Sequence, residues 1–115
     1  MQELETAARL RVPVVIVIAN DRQWGMIKAS QMANYDARYI GVDFTDIRYD
    51  EIARACGCWG ERVEDPKGII PALERAVASG KPAVLDVIVD QWANLLPPDL
   101  ENLAAVWMEG CELPE

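Results

Sequence analysis

Val14 to Ala19 reads VVIVIA and runs straight into Asn20 and Asp21, and the fold turns on this stretch. A strand with one wet face alternates apolar and polar residues. An unbroken, β-branched run instead predicts a parallel strand covered on both faces. Upstream, Leu4, Ala7, Ala8 and Arg11 fall at helical spacing, so residues 1–11 are expected to form a helix that Pro13 stops. No N-cap residue precedes that helix, which places its expected start before the chain's own.

Downstream the pattern alternates. Tyr49, Ile52, Ala53 and Cys56 follow the i, i+3, i+4, i+7 spacing of an amphipathic helix, closed by Gly57. Trp59 to Val63 suits a short strand. Ile69, Ala72, Leu73 and Ala76 mark another helix, closed by Gly80, whose regular part is expected to start near Pro71. Ala83 to Val89 (AVLDVIV) is a second buried-strand candidate. Pro97 and Pro98 precede a last expected helix from Asp99 towards Trp107. This order predicts right-handed crossovers and an α/β fold of three layers, α/β/α, with helices on both faces of a parallel sheet. Trp24 to Asp46 lacks clean periodicity and reads as a long loop, of the kind that often carries function.

At 115 residues and 51% apolar composition, the chain suits one domain over 1–115 with a real core. Nineteen acidic against eleven basic residues give a net charge of −8, which argues against nucleic acid and anionic membrane partners. The longest apolar run is far short of the ~20 residues a bilayer needs, and Glu3 and Glu5 stand where a signal peptide would carry basic residues. With no histidine, Ser-His and Cys-His nucleophile pairs are excluded within the chain. Cys56, Cys58 and Cys111, an odd set at a spacing unsuited to zinc, read as small buried residues in a reducing, cytoplasmic setting.

Ligands of open α/β sheets bind beyond the carboxyl ends of the strands. There the chain carries Asn20, Asp21, Arg22, Gln23, Trp24 and Gly25. An amide, a carboxylate and exposed carbonyls are hard oxygen donors, suited to magnesium and a phosphate-bearing ligand. The same Asn-Asp pair can serve only the geometry of a turn. Neither the dinucleotide nor the P-loop glycine pattern occurs.

Gln2 to Met26, QELETAARLRVPVVIVIANDRQWGM, resembles the second half of the thiamine-diphosphate motif of the superfamily that includes acetolactate synthase, pyruvate decarboxylase and benzoylformate decarboxylase. That motif opens with Gly-Asp-Gly and closes in Asn-Asn. YDEIARACGCWGERVEDP, ALERAVASGKPAVLDVIVD and WMEGCEL resemble later parts of the same diphosphate-binding domain, in the right order. The resemblance implies thiamine diphosphate and Mg2+ as cofactors, with Asp21 and the main-chain carbonyl of Gln23 as metal ligands. Asn20, Trp24, Gly25 and Met26 would line the cofactor. Asp21 departs from the commoner asparagine but offers an equally hard oxygen. Ser30 stands where acetolactate synthases commonly carry tryptophan, which widens the expected chemistry to 2-oxo-acid decarboxylases and carboligases, enzymes of the lyase and transferase classes.

The resemblance also places the Gly-Asp-Gly half upstream of Met1, and the activating glutamate on a separate pyrimidine-binding domain, normally a partner subunit's. No catalytic residue is therefore expected in the chain, and little turnover from it alone. A homo-oligomer or a partner pyrimidine-binding domain is the implied assembly. The rival expectation is a non-catalytic assembly module of the same fold. A receiver-like phosphate- or metal-binding domain would need more acidic residues near the first strand. Asp86 reads as a carboxylate bonded to nearby backbone, Glu61, Glu64 and Asp65 as a solvated turn, and Trp59, Trp92 and Trp107 as packing or contact residues.

Overall fold

The computed structural model describes residues 2–92. Its elements are α1 (Gln2–Leu10), β1 (Val15–Asn20), α2 (Gly25–Asn34), α3 (Tyr49–Ala55), β2 (Trp59–Val63), a 3-10 turn (Pro66–Gly68), α4 (Ile69–Ala78) and β3 (Ala83–Ile88). The three strands form one parallel sheet in the order β1-β3-β2, with Ile18 and Arg62 both in register with Asp86. The expected helix over 99–107 and the residues Trp107 and Cys111 lie outside the described part. Among the described residues, no helix is long and apolar enough to cross a membrane.

Alternation along β3 sorts the layers. Ala83, Leu85 and Val87 join Val63, Ala72 and Ala76 in a cluster beneath α4, with Trp59 and Leu73 against it. Val84, one residue out of phase, packs with Leu4 of α1 and with Ala53 and Cys58 on the other face. A parallel sheet between helices on both faces is the three-layer arrangement the sequence predicts. Burial pushes the Cys58 thiol up, away from the reactive thiolate form.

Helix ends follow local chemistry. α1 stops at Arg11, whose φ of 54° is left-handed, two residues before the proline expected to stop it. The amides of Arg11 and Val12 return to the carbonyls of Ala8 and Ala7, closing the end. Gly57 and Gly80 take φ of 83° and 62° behind α3 and α4. Pro71 is the third residue of α4, where its missing N–H leaves no intrahelical bond unmade. Asp65 accepts the amide of Lys67 and starts the 3-10 turn ahead of α4.

Two expectations change. The stretch from Trp24 to Asp46 is not loop throughout, because Gly25–Asn34 within it forms α2. That helix buries Lys28 while leaving Met26 and Ile27 exposed, so apolar periodicity could not reveal it. In the described residues β1 is an edge strand, not a fully covered one: Val14, Ile16 and Val17 are exposed.

Candidate functional site at the end of the first strand

β1 hands the chain to a tight corner at the carboxyl end of the sheet, built by two side chains. Asn20 Oδ1 accepts the amide of Arg22 at 3.1 Å, and Asp21 Oδ1 accepts the amide of Gln23 at 3.3 Å. Such self-bonding is why Asn and Asp favour turns. Between them Arg22 is held at φ 57°, a left-handed conformation that costs a side-chain-bearing residue about 1–2 kcal/mol.

A short antiparallel pairing offsets that cost. The Trp24 amide donates to the Val42 carbonyl and the Phe44 amide to the Arg22 carbonyl, each at 2.8 Å, so Gln23 and Asp43 face each other. In such a pair the flanking residues supply both hydrogen bonds. The main-chain carbonyl of Gln23 therefore stays outside the pairing. Its side chain is buried, with Nε2 donating to the Gln91 carbonyl at 2.6 Å and Oε1 buried without a protein partner. A buried amide oxygen left so is a place for a water or an ion.

The expected site residues do converge on this corner, but they differ in orientation. Asn20 is buried and turns into the protein, where Nδ2 donates to Asp86 Oδ1 at 2.8 Å. Asp86 thus meets a side-chain amide, with the Arg62 guanidinium 3.8 Å away, rather than the backbone expected from the sequence. Asp21 is half-buried and its second oxygen lies over the start of α2. A Cβ on Gly25 would come within 3.2 Å of that oxygen, so glycine preserves the close approach. Trp24 stands edge-on to Phe44 with ring centres 5.1 Å apart, and both Trp24 and Met26 present exposed surface.

Charges ring the corner. Asp46 lies 3.3 Å from Arg22 and 2.8 Å from Arg62, and the hydrogen bond from Arg62 holds its carboxyl below the usual carboxylate range. Lys28 pairs with Asp43. Sequence spacing gave no sign of Lys28, Asp43 or Asp46, because their partners lie across the fold. Among the described residues, no three of Asp, Glu, Cys or His gather in a metal-binding cluster. A metal held here would need main-chain oxygen and a ligand's own oxygens beside Asp21.

A parallel α/β sheet whose first strand leads through a tight corner into a helix N-terminus belongs to the class of open α/β domains that take ligands at the carboxyl ends of their strands. Residues 1–87 match the family described as thiamine pyrophosphate enzyme, C-terminal TPP binding domain. The chain belongs to that family. It is 42% identical over 102 residues to a probable acetolactate synthase of Mycobacterium bovis, covering 89% of this chain and 18% of that protein. It is 36% identical over 93 residues to the acetolactate synthase of Bacillus subtilis, covering 81% and 16%. A sulfoacetaldehyde acetyltransferase of Alcaligenes xylosoxydans is 32% identical over 92 residues, covering 76% and 15%. The crystal structure of benzoylformate decarboxylase from Polynucleobacter necessarius superposes with a TM-score of 0.71 at 18% identity, over 78% of this chain and 17% of that one. That likeness concerns the fold. The chain spans under a fifth of the length of each of these proteins.

Proposed function

We propose that the corner after β1 holds Mg2+ and the diphosphate of thiamine diphosphate, as part of a 2-oxo-acid decarboxylase or carboligase of the acetolactate-synthase kind. One observation carries this reading: Asp21 and the uncommitted carbonyl of Gln23 flank a left-handed residue at the carboxyl end of a parallel strand. Magnesium takes oxygen ligands, binding through one or two carboxylates and the phosphates of its ligand. It also offsets the repulsion between a diphosphate and a chain of net charge −8.

In this reading Asp21 and the Gln23 carbonyl hold the cation, and the amides at the start of α2 favour the diphosphate. Trp24 and Met26 offer apolar surface to the ring beyond it. Thiamine diphosphate, once bound, supplies a ylid and an electron sink. None of the named corner residues is assigned a proton-transfer role. A Gly-Asp-Gly segment and the activating glutamate of a pyrimidine-binding partner complete the site in this reading. The assembled enzyme works in the cytoplasm as an oligomer.

Calorimetric titration with Mg2+ and thiamine diphosphate tests the reading. Weak binding is expected, tightening when a Gly-Asp-Gly segment is restored upstream. In the extended chain Asp21→Ala should weaken Mg2+ binding by at least about tenfold, since even outer-shell partners of metals matter that much. An extended chain that binds neither ligand would sink the proposal. The alternative, a non-catalytic assembly module, is favoured by the edge of β1, which no strand among the described residues covers.

A further inference from the structure

Lys28 is an unusual occupant of a helix's inner face. It lies in the first turn of α2, 4% exposed, with its ammonium 2.7 Å from Asp43 Oδ1. The same ammonium lies 5.3 Å from the centre of the Tyr39 ring and 4.9 Å from that of Trp92. Packing alone would be met by leucine or methionine, which need no compensation for lost water. A buried ammonium does, and here one carboxylate and two aromatic rings provide it.

Those partners are not scattered. Asp43 is the residue facing Gln23, and Trp92 follows Gln91, whose carbonyl accepts the side-chain Nε2 of Gln23. Lys28 therefore joins the two segments, around residue 43 and around residue 91, that grip Gln23 from either side. We propose that Lys28 is a positioning residue: through Asp43 and Trp92 it latches both segments onto α2 and so fixes the direction of the Gln23 carbonyl. What that carbonyl binds rests on the reading above, whereas the latch itself does not.

Native-state hydrogen exchange followed by NMR separates the two. The reporters are the Trp24 and Phe44 amides, which close the pairing across Gln23 and Asp43. Lys28→Met keeps the volume and removes the charge; Asp43→Asn keeps the shape and removes the opposite charge. Each should lower protection at both amides by about tenfold or more, leaving Ala83 and Val89 amides of the sheet unchanged. The double variant should lose no more than either single one, since both break the same pair. If Lys28→Met fails to fold, Asp43→Asn carries the test. Unchanged protection at Trp24 and Phe44, losses spread evenly over the sheet, or additive losses would each overturn the latch.

A second readout is Mn2+ affinity, measured by water relaxation in the chain extended by Gly-Asp-Gly, with thiamine diphosphate present. Asp43→Asn should weaken it severalfold without lowering the thermal midpoint of the sheet; unchanged affinity alongside lost protection would overturn the positioning role. An extended wild-type chain that binds no Mn2+ defeats the proposed function instead, while the exchange pattern still decides the latch.

Discussion

Asn20 and Asp21 are chemical near-twins with opposite tasks, and the pleat of β1 separates them. Asn20 stands on the same side of the sheet as Asp86, so its amide is spent on that carboxylate and on the Arg22 amide. One residue on, Asp21 opens toward the start of α2. Substitution at the two positions should therefore read out differently. Asn20→Ala removes the side-chain hydrogen bond that the Asp86 carboxylate accepts at 2.8 Å and leaves a fully buried carboxylate beside Arg62 at 3.8 Å. A buried acceptor stripped of its partner costs about 1–3 kcal/mol. Urea denaturation should show that loss in Asn20→Ala and much less in Asp21→Ala, whose carboxylate is only half-buried; equal losses would contradict the division of labour. At this scale the sequence marks the corner, because strand end and Asn-Asp coincide. It does not tell which of the pair turns inward, since that depends on register with β3.

Elements held by charge behave differently from elements held by apolar faces. Asp50, in the first turn of α3, is almost wholly buried and accepts Nε and Nη2 of Arg48 at 3.0 Å and Nη2 of Arg54 at 2.8 Å. The Arg48 hydrogen bonds hold its carboxyl below the usual carboxylate range. The folded state thus binds its proton less readily than the unfolded chain, whose aspartates titrate at about 3.9. The stabilisation is complete above that value and drains away as pH falls through the lower, folded one. Denaturation midpoints should drop as pH is taken from about 5 to 3, and Asp50→Asn should flatten that dependence while lowering stability at neutral pH. An unaltered slope in Asp50→Asn would assign it to other carboxylates. The same contrast explains what sequence can show of the elements. α1, α3, α4, β1 and β3 announce themselves through apolar spacing or unbroken apolar runs, β2 only as a short stretch that suits a strand, and each exists. α2 hides because its buried inward residue is Lys28 and its outward ones include Met26 and Ile27, an inversion that only the Asp43 and aromatic partners make stable.

Across the whole molecule two opposing terms meet at β1. Leu10, Val12, Val14, Ile16 and Val17 are all exposed, and the strand's outer hydrogen-bonding edge has no neighbour among the described strands. Such an edge templates pairing with another chain. A net charge of −8 works against it, because like-charged chains repel at long range. Salt decides between the two: screening shortens the repulsion to about 8 Å at physiological ionic strength and leaves apolar contact intact. Static light scattering should therefore show the chain near monomeric at low salt, with molar mass climbing as salt is added. Val17→Lys, which sets a charge in the middle of the exposed strand, should hold it monomeric throughout. A wild-type chain that stays monomeric in high salt would mean the exposed strand attracts too weakly to matter, and would remove the observation on which the assembly-module alternative stands.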